Sequence, residues 1–408
     1  MKITYNINKI FFAILFLLSM FIGSIRLPIG PIRLDLLFDI FIIFYLLFIY
    51  KKINLKILKQ ALPFGLFIVY FIIHYLFIMQ SPNLRDFLFI VIPIYTIITY
   101  YILNFLLKDI DIIVINKFIQ FFMWVNFCFV IIQYTNLLGL STLLKPYYEY
   151  LAVNNANSLI QALVLTQRPF GLVGNPTLLT FIIYVLYKIS NKIKPNNLTT
   201  VISFFTMIIS GGKMVLFFVI LWEAYEFIYN KLKKIKSANE LFFKILQIIV
   251  FLILGLFSIL LIVYCVPFLK QFVWDTIAKG ELFDGYSYTY RFSMYNILKK
   301  IEISTIFLGG YSYTVLTGMN IAYFDTEYVL RILQYGVIGL FLLFYPLIHF
   351  YYKSKYSIDN LYILAICLTF SLTNFTVSNY VLIFYIVFYL TIIKKINNKN
   401  LERQYKKE

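Results

Sequence analysis

The sequence predicts an all-α membrane protein, a polytopic bundle of about 12 transmembrane helices with two larger extracytoplasmic loops. Three observations lead there. Hydrophobic residues make up 62% of the 408 and charged residues only 13%, which is more apolar surface than a soluble core buries. The charges fall in clusters separated by apolar windows, and crossing a hydrocarbon layer about 30 Å thick takes roughly 20 such residues as a helix. Runs such as Phe64 to Met79 are apolar on every face, whereas the strands of a membrane barrel alternate polar and apolar positions.

Taken in order, the charge-poor windows place spans near 10–25, 34–50, 61–79, 87–107, 118–138, 172–187, 197–211, 214–229, 245–267 and 329–349. The first window lacks a small-residue cleavage site and leads into further spans, so it reads as a span and not as a cleavable leader. Asn360 to Ile393 carries no charge over 34 residues, which at 1.5 Å per residue is about 51 Å of helix, far more than one crossing needs. A break near Asn374 makes that stretch a hairpin of two short spans. Residues 1–408 thus read as a single polytopic domain with two long outer loops, 139–171 and 268–328. Loops of that length usually serve a function. Helical spacing over Tyr290 to Ile301 predicts an amphipathic helix near the membrane surface.

A net charge of +18 would suggest nucleic acid for a soluble chain. Here the lysines gather in short tracts between spans, where they orient the protein. With a cytoplasmic N-terminus the inner segments are 1–9, 51–60, 108–117, 188–196, 230–244, 350–359 and 394–408, and they hold 24 of the 36 basic residues. The positive-inside rule therefore predicts that both termini are cytoplasmic.

Arginine breaks the lysine pattern. Of seven arginines, six fall on the predicted outer side: Arg26, Arg33, Arg85, Arg168, Arg291 and Arg331. Of 29 lysines, 23 fall inside. Guanidinium is a planar, permanently charged fork of donors that suits phosphate and diphosphate, so an outward anion site is expected. Arg26, Arg33 and Arg85 are equally readable as headgroup anchors at span ends. Arg168 opens the turn-rich stretch Arg168-Pro-Phe-Gly-Leu-Val-Gly-Asn-Pro176. Arg291 leads through the predicted helix to Leu308-Gly-Gly-Tyr311, where paired glycines let backbone approach a ligand. Lys213 follows Ser210-Gly-Gly at an outer tip, as headgroup anchor or phosphate ligand.

Asp325-Thr-Glu327 stands just before the span containing Arg331. A carboxylate in a half-desolvated site is a candidate general base, and the alternative is an acidic residue complementing the helix N-terminus. Asp35 and Asp39 share one face of the second span and are expected to turn inward and pair with Arg26 or Arg33. Tyr286, Tyr288 and Tyr290, with Tyr311, Tyr313 and Tyr323, offer faces that stack on sugars, or an interfacial aromatic belt. Cys128, Cys265 and Cys367 each lie in an apolar run without ligand spacing and read as packing residues. His74 and His349 are isolated in sequence, and neither is assigned a metal.

In layout and motifs the chain resembles the O-antigen polymerase and O-antigen ligase superfamily. The resemblance is carried by the late outer loop opening with Arg291, its Leu308-Gly-Gly turn, and Asp325-Thr-Glu-Tyr-Val-Leu-Arg-Ile-Leu-Gln-Tyr-Gly-Val-Ile-Gly-Leu340 entering a span. The Arg168–Pro176 stretch and Ser210-Gly-Gly-Lys213 are similar to two further landmarks, the second of which usually reads Ser-Gly-Ser-Arg. It implies a GT-C-like helical bundle and an inverting, metal-independent glycosyltransferase that needs no cofactor. The implied substrates are glycans on undecaprenyl diphosphate, presented at the outer face of the bacterial cytoplasmic membrane. The implied partners are membrane lipid and the pathway's chain-length regulator and flippase. Arg168 and Arg291 would hold the departing diphosphate, with Lys213 as a third cation. Arg85, Arg331 and the tyrosines Tyr286, Tyr288 and Tyr311 would contact substrate. The ligase branch usually carries a His where Asp325 to Glu327 stand, and no His lies on the outer loops, which favours a polymerase. The rival readings are a ligase-type transferase, a lipid-linked glycan flippase or secondary transporter, and a non-catalytic assembly subunit.

Overall fold

The computed structural model describes residues 2–20, 26–27, 30–31, 34–45, 55–135, 169, 171–173, 175–210, 213–232, 294–319, 326–354, 357–372, 376–377 and 379–405. Among these the chain is helical apart from a two-residue antiparallel ribbon, β1 (Arg26–Leu27) with β2 (Gly30–Pro31), and one bridge between Gln80 and Tyr311. The helices are α1 (Lys2–Met20), α2 (Leu34–Tyr45), α3 (Leu55–Phe77), α4 (Leu84–Phe87), α5 (Val91–Asp109), α6 (Ile112–Thr135), α7 (Pro176–Ile193), α8 (Asn197–Ser210), α9 (Lys213–Leu232), α10 (Ile303–Leu308), α11 (Tyr313–Gly318), α12 (Glu327–Lys353), α13 (Ile358–Ser371) and α14 (Tyr380–Tyr405). They fall into two compact units, one of residues 1–212 with 294–408 and one of 213–293. In the second unit, α9 stacks Phe218 on Trp222, Trp222 on Tyr225 and Tyr225 on Tyr229 at ring separations of 5.7, 5.3 and 6.1 Å.

Five helical stretches among the described residues are long and apolar enough to cross a membrane: α3, Leu84–Asp109, α6, α12 and Val381–Asn398 within α14. α3 shows why hydropathy, and not amphipathic period, marks such helices. Phe64, Phe67, Phe71 and His74 are buried on one face, while Leu58, Leu62, Leu66, Val69 and Ile73 stand exposed on the other. In water that stripe would be unfavourable, whereas hydrocarbon is its natural surround. The chain is a helical membrane protein.

Several predicted boundaries move. Where the first span was expected, at 10–25, the structure has α1 from Lys2 to Met20, with 21–25 outside the described residues. In its second turn the buried Asn8 donates through its amide to Asp109 at 3.4 Å. The charge-free stretch does divide: α13 ends at Ser371, α14 begins at Tyr380, and the Tyr389 hydroxyl donates back to the Asp359 carbonyl at 3.1 Å, so the two run antiparallel. Within the predicted amphipathic segment, residues 294–298 are helical and a turn follows at Lys299–Lys300. The predicted span 245–267 lies outside the described residues.

α14 is the centre of the first unit. Its membrane-length window is 72% buried, against 33% for α3. Phe388 packs on Phe12 and Phe16 of α1, Tyr385 on Phe122 of α6, and Tyr389 on Tyr362 of α13. The Lys395 ammonium caps the end of α5 by donating to the carbonyls of Leu107, Lys108 and Ile110. A cation at a helix C-terminus satisfies orphan carbonyls and complements the dipole.

α3 and α12 are antiparallel, since the Tyr70 hydroxyl reaches the Tyr335 carbonyl and Phe64 meets Phe350. α5 runs with α12, as the pairs Phe89–Tyr335 and Tyr100–Phe350 show. The bundle thus has one end that carries Arg85 and Arg331 and an opposite end that carries Lys56, Lys353 and Lys394.

Candidate functional site

The arginine end is built on a broken helix. α12 loses helical geometry at Gly336, whose φ of 70° and ψ of 177° lie where only glycine is comfortable. The break releases carbonyls that an unbroken helix would use, and other elements supply the donors. Gly310 N–H bonds the Gln334 carbonyl at 2.9 Å, Tyr311 N–H the Leu333 carbonyl at 3.1 Å, and the Tyr70 hydroxyl the Tyr335 carbonyl at 2.7 Å. The Leu308-Gly-Gly turn therefore serves to fill this break. A Cβ on Gly309 would lie 2.4 Å from the Gly336 nitrogen, and one on Gly336 would lie 2.1 Å from the Phe307 carbonyl oxygen. Gln80 N–H then donates to the Gly310 carbonyl at 2.7 Å, and His74 Nε2 lies 2.7 Å from the Leu308 carbonyl. Three distant segments share one backbone knot.

On this knot sits a polar and aromatic cluster. Asn83 caps α4 in a reciprocal box with Asp86. The buried Asp86 carboxylate also accepts from Tyr313 N–H at 2.7 Å, and the Asn83 amide donates to Thr314 at 2.6 Å. Asp86 thereby docks the 81–90 segment onto the start of α11. Arg85 is left exposed, with its guanidinium carbon 3.5 Å from the Tyr313 ring centroid. Arg331 is only 8% exposed. Its guanidinium lies 4.1 Å from the Phe89 centroid and donates to Gln334, and Phe89 stacks in turn on Tyr335 at 5.1 Å. Flat stacking on an aromatic face fixes a guanidinium plane while its donors stay at the rim.

Glu327, in the first turn of α12, is fully buried. One of its carboxylate oxygens accepts from the Ser371 hydroxyl at 2.9 Å, Thr376 N–H at 2.7 Å and Val377 N–H at 3.1 Å. It ties the crossing between α13 and α14 to the head of α12, a placement closer to the helix-end role than to a solvent-facing base.

A second knot precedes α7. Gly171, with φ of 56°, exchanges two hydrogen bonds with the Gln133 amide, at 2.9 and 3.0 Å, and Leu172 N–H donates to Asn126 at 3.0 Å. Asn175 caps α7 with Pro176 in its first turn. The predicted turn-rich entry is thus present from Gly171 onward, held by two amides of α6.

Of the predicted site residues, Arg85, Tyr311 and Arg331 come together at one end of the bundle, with Glu327 one helical turn before Arg331. Lys213 opens α9 in the second unit. Arg168, Tyr286, Tyr288, Arg291 and Asp325 lie outside the described residues, as do Arg33 and Cys265. Asp39 is buried and accepts from the Thr99 hydroxyl at 3.2 Å. Cys367 is buried as expected, whereas Cys128 is exposed on α6. Sequence reasoning missed Asp86 and Phe89 and left His74 isolated. The Asn83-x-x-Asp86 spacing signals a capping box and so pointed to Asp86; nothing local signalled Phe89 or the His74 contact.

No family model matches this chain, and neither does any curated protein or solved structure. The chemistry of the arginine end therefore carries the functional reading. That end offers one buried and one exposed guanidinium, each over an aromatic ring, beside backbone segments that Gly309 and Gly336 allow to approach closely. Such an arrangement suits a phosphate-bearing ligand beside an apolar body.

Proposed function

We propose that this protein is a metal-independent, inverting glycosyltransferase. In this reading it joins undecaprenyl-diphosphate-linked oligosaccharide repeat units into a surface polysaccharide, whether O-antigen, capsule or exopolysaccharide. The arginine end faces outward from a bacterial cytoplasmic membrane crossed by about 12 helices, with both termini inside. The observation that carries the reading is Arg85: an exposed guanidinium whose carbon lies 3.5 Å from the Tyr313 ring centroid, while the neighbouring Asp86 carboxylate is spent on Tyr313 N–H and Asn83 N–H. A positive charge so placed, at the same end as Arg331, suits a diphosphate.

A sugar C1 bonded to diphosphate is already activated. An acceptor hydroxyl attacks C1 from the face opposite the diphosphate, the C1–O bond to phosphate breaks, and the lipid diphosphate leaves with both electrons. Cations that stabilise this departing charge supply most of what such a reaction needs. By the family resemblance Arg168 and Arg291 take that role, with Lys213 as a third cation, while Arg85 and Arg331 stand together at one end of the first unit. Tyr286, Tyr288 and Tyr311 face sugar rings. With Glu327 engaged by three donors, Asp325 becomes the carboxylate that takes the acceptor proton.

The test is to incubate purified protein with a lipid diphosphate-linked repeat unit and separate the products by size. A ladder is expected from wild type and its loss from Arg168→Ala and Arg291→Ala, with membrane insertion unchanged. Long-chain polymer from both variants would sink the diphosphate assignment.

One observation favours a second reading, a flippase or secondary transporter: α12 is discontinuous at Gly336, and broken helices are where many transporters bind substrate. Here, however, the carbonyls released by the break bond to Gly310, Tyr311 and Tyr70. Glycan translocation by reconstituted protein without chain growth would establish that alternative.

A further inference from the structure

At the arginine end, the chain between Lys300 and Tyr311 dips below the end of the helix it meets. Both flanks belong to that end of the bundle: the Tyr295 hydroxyl donates to the Leu372 carbonyl just past α13 at 3.1 Å, and Tyr313 N–H donates to Asp86. Between them α10 brings the Leu308 carbonyl down onto α3, where it lies 2.7 Å from His74 Nε2 and accepts from the Tyr70 hydroxyl at 3.4 Å. His74 and Tyr70 stand three and seven residues before Phe77, the last residue of α3, which is about 4.5 and 10 Å of helix. Their side chains lean toward the start of α3, away from the arginine end. Nor does α3 carry them clear of the membrane. The uncharged stretch after Lys59, from Gln60 to Phe77, is about 26 Å long, less than a hydrocarbon layer of about 30 Å. Leu308 therefore sits at the depth of acyl chains.

Backbone at that depth has no water to bond and must find its partners in protein. Gly309 N–H bonds the Thr305 carbonyl at 2.7 Å, Gly310 and Tyr311 N–H bond α12, and the Leu308 carbonyl takes a histidine and a tyrosine from a membrane helix. The side chains complete the picture. Lys299, Lys300 and Glu302 are exposed, and from Ile303 onward the exposed large residues of α10 are apolar: Ile303 is 73%, Phe307 54% and Leu308 42% exposed. They adjoin the exposed apolar stripe of α3, which runs on through Val69, Ile73 and Phe77. We propose that Ile303–Leu308 is a re-entrant segment immersed in the bilayer, with Ile303, Phe307 and Leu308 in contact with phospholipid acyl chains beside α3. The loop predicted to lie wholly outside the membrane thus returns into it. This interface is independent of the polymerase reading and of which way the bundle faces.

The experiment uses full-length protein in phosphatidylcholine nanodiscs, with Cys128, Cys265 and Cys367 replaced by alanine and a nitroxide on a single cysteine at position 300, 303, 307 or 69. Labels at 303 and 307 should collide with dissolved oxygen more than with a water-soluble nickel complex, as at the α3 position 69, and the order should reverse at 300. Nickel access at 303 and 307 equal to that at 300 would overturn the segment's immersion. Phe307→Trp in the otherwise native chain gives a second reading that needs no cysteine replacement. Its added fluorescence should be mostly lost when the phosphatidylcholine carries bromine on its acyl chains and be unaffected by acrylamide in the water. Quenching by acrylamide and not by brominated lipid would place α10 in water, and insensitivity to both would mean that protein covers it; either result overturns the lipid contact.

Discussion

Arg85 and Asp86 are adjacent in sequence, yet their side chains go opposite ways. Asp86 turns inward to cap α4 and to hold Tyr313 N–H, while Arg85 lies outward on the Tyr313 ring. Arg85→Ala is expected to lower polymer yield about tenfold, the size of one lost charge-assisted bond. Arg85→Lys should not restore it, because an ammonium lacks the planar fork that stacks and bonds together. Product ladders from both variants check this. Glu327 makes a contrasting prediction. Removing its carboxylate leaves the Ser371 hydroxyl and the N–H groups of Thr376 and Val377 buried without that acceptor. Glu327→Ala should cost about 3 kcal/mol, read as a lower unfolding temperature in detergent. Glu327→Gln, which keeps an oxygen, should cost less and leave chain growth measurable. Activity abolished by Gln at unchanged stability would return Glu327 to the role of base.

At the scale of elements, the glycine knot is the most demanding piece of geometry. Gly336→Ala combines a positive φ with a Cβ 2.1 Å from a carbonyl oxygen, and a loss of about 2 to 5 kcal/mol is expected. Gly318→Ala, where a Cβ would meet nothing within 4 Å, is the matched control and should leave unfolding unchanged. The five membrane-length helices among the described residues were legible in the sequence because hydropathy needs no partner to be read. The division of 360–393 was legible because length alone forbids one crossing. The break at Gly336 was not, since a glycine inside an apolar run looks the same in a continuous helix. Its donors come from Tyr70 and from Gly310 and Tyr311, far away in the chain. Asp86 and Tyr313 likewise meet across 227 positions, a pairing that no local spacing encodes. Asn126 and Gln133 could have been flagged as polar groups within a span, but their partner, the Gly171 turn, shows only in the fold.

At the scale of the whole molecule, topology is the claim with the widest reach. Single cysteines at positions 280 and 320 should react with an impermeant thiol reagent applied from outside, and one at 235 only after the membrane is opened. The reverse pattern would invert the orientation and move the arginine end to the cytoplasm. The position of α14 bears on assembly in time. α14 follows α1, α5, α6 and α13 in the chain and is the helix around which they pack, and its Lys395 closes the end of α5 across 288 positions. Until residue 395 leaves the ribosome, the earlier helices wait in the membrane around an empty slot. A stop codon that removes α14 should therefore yield chains that insert and are then destroyed by quality-control proteases, while one placed after the helix should be tolerated.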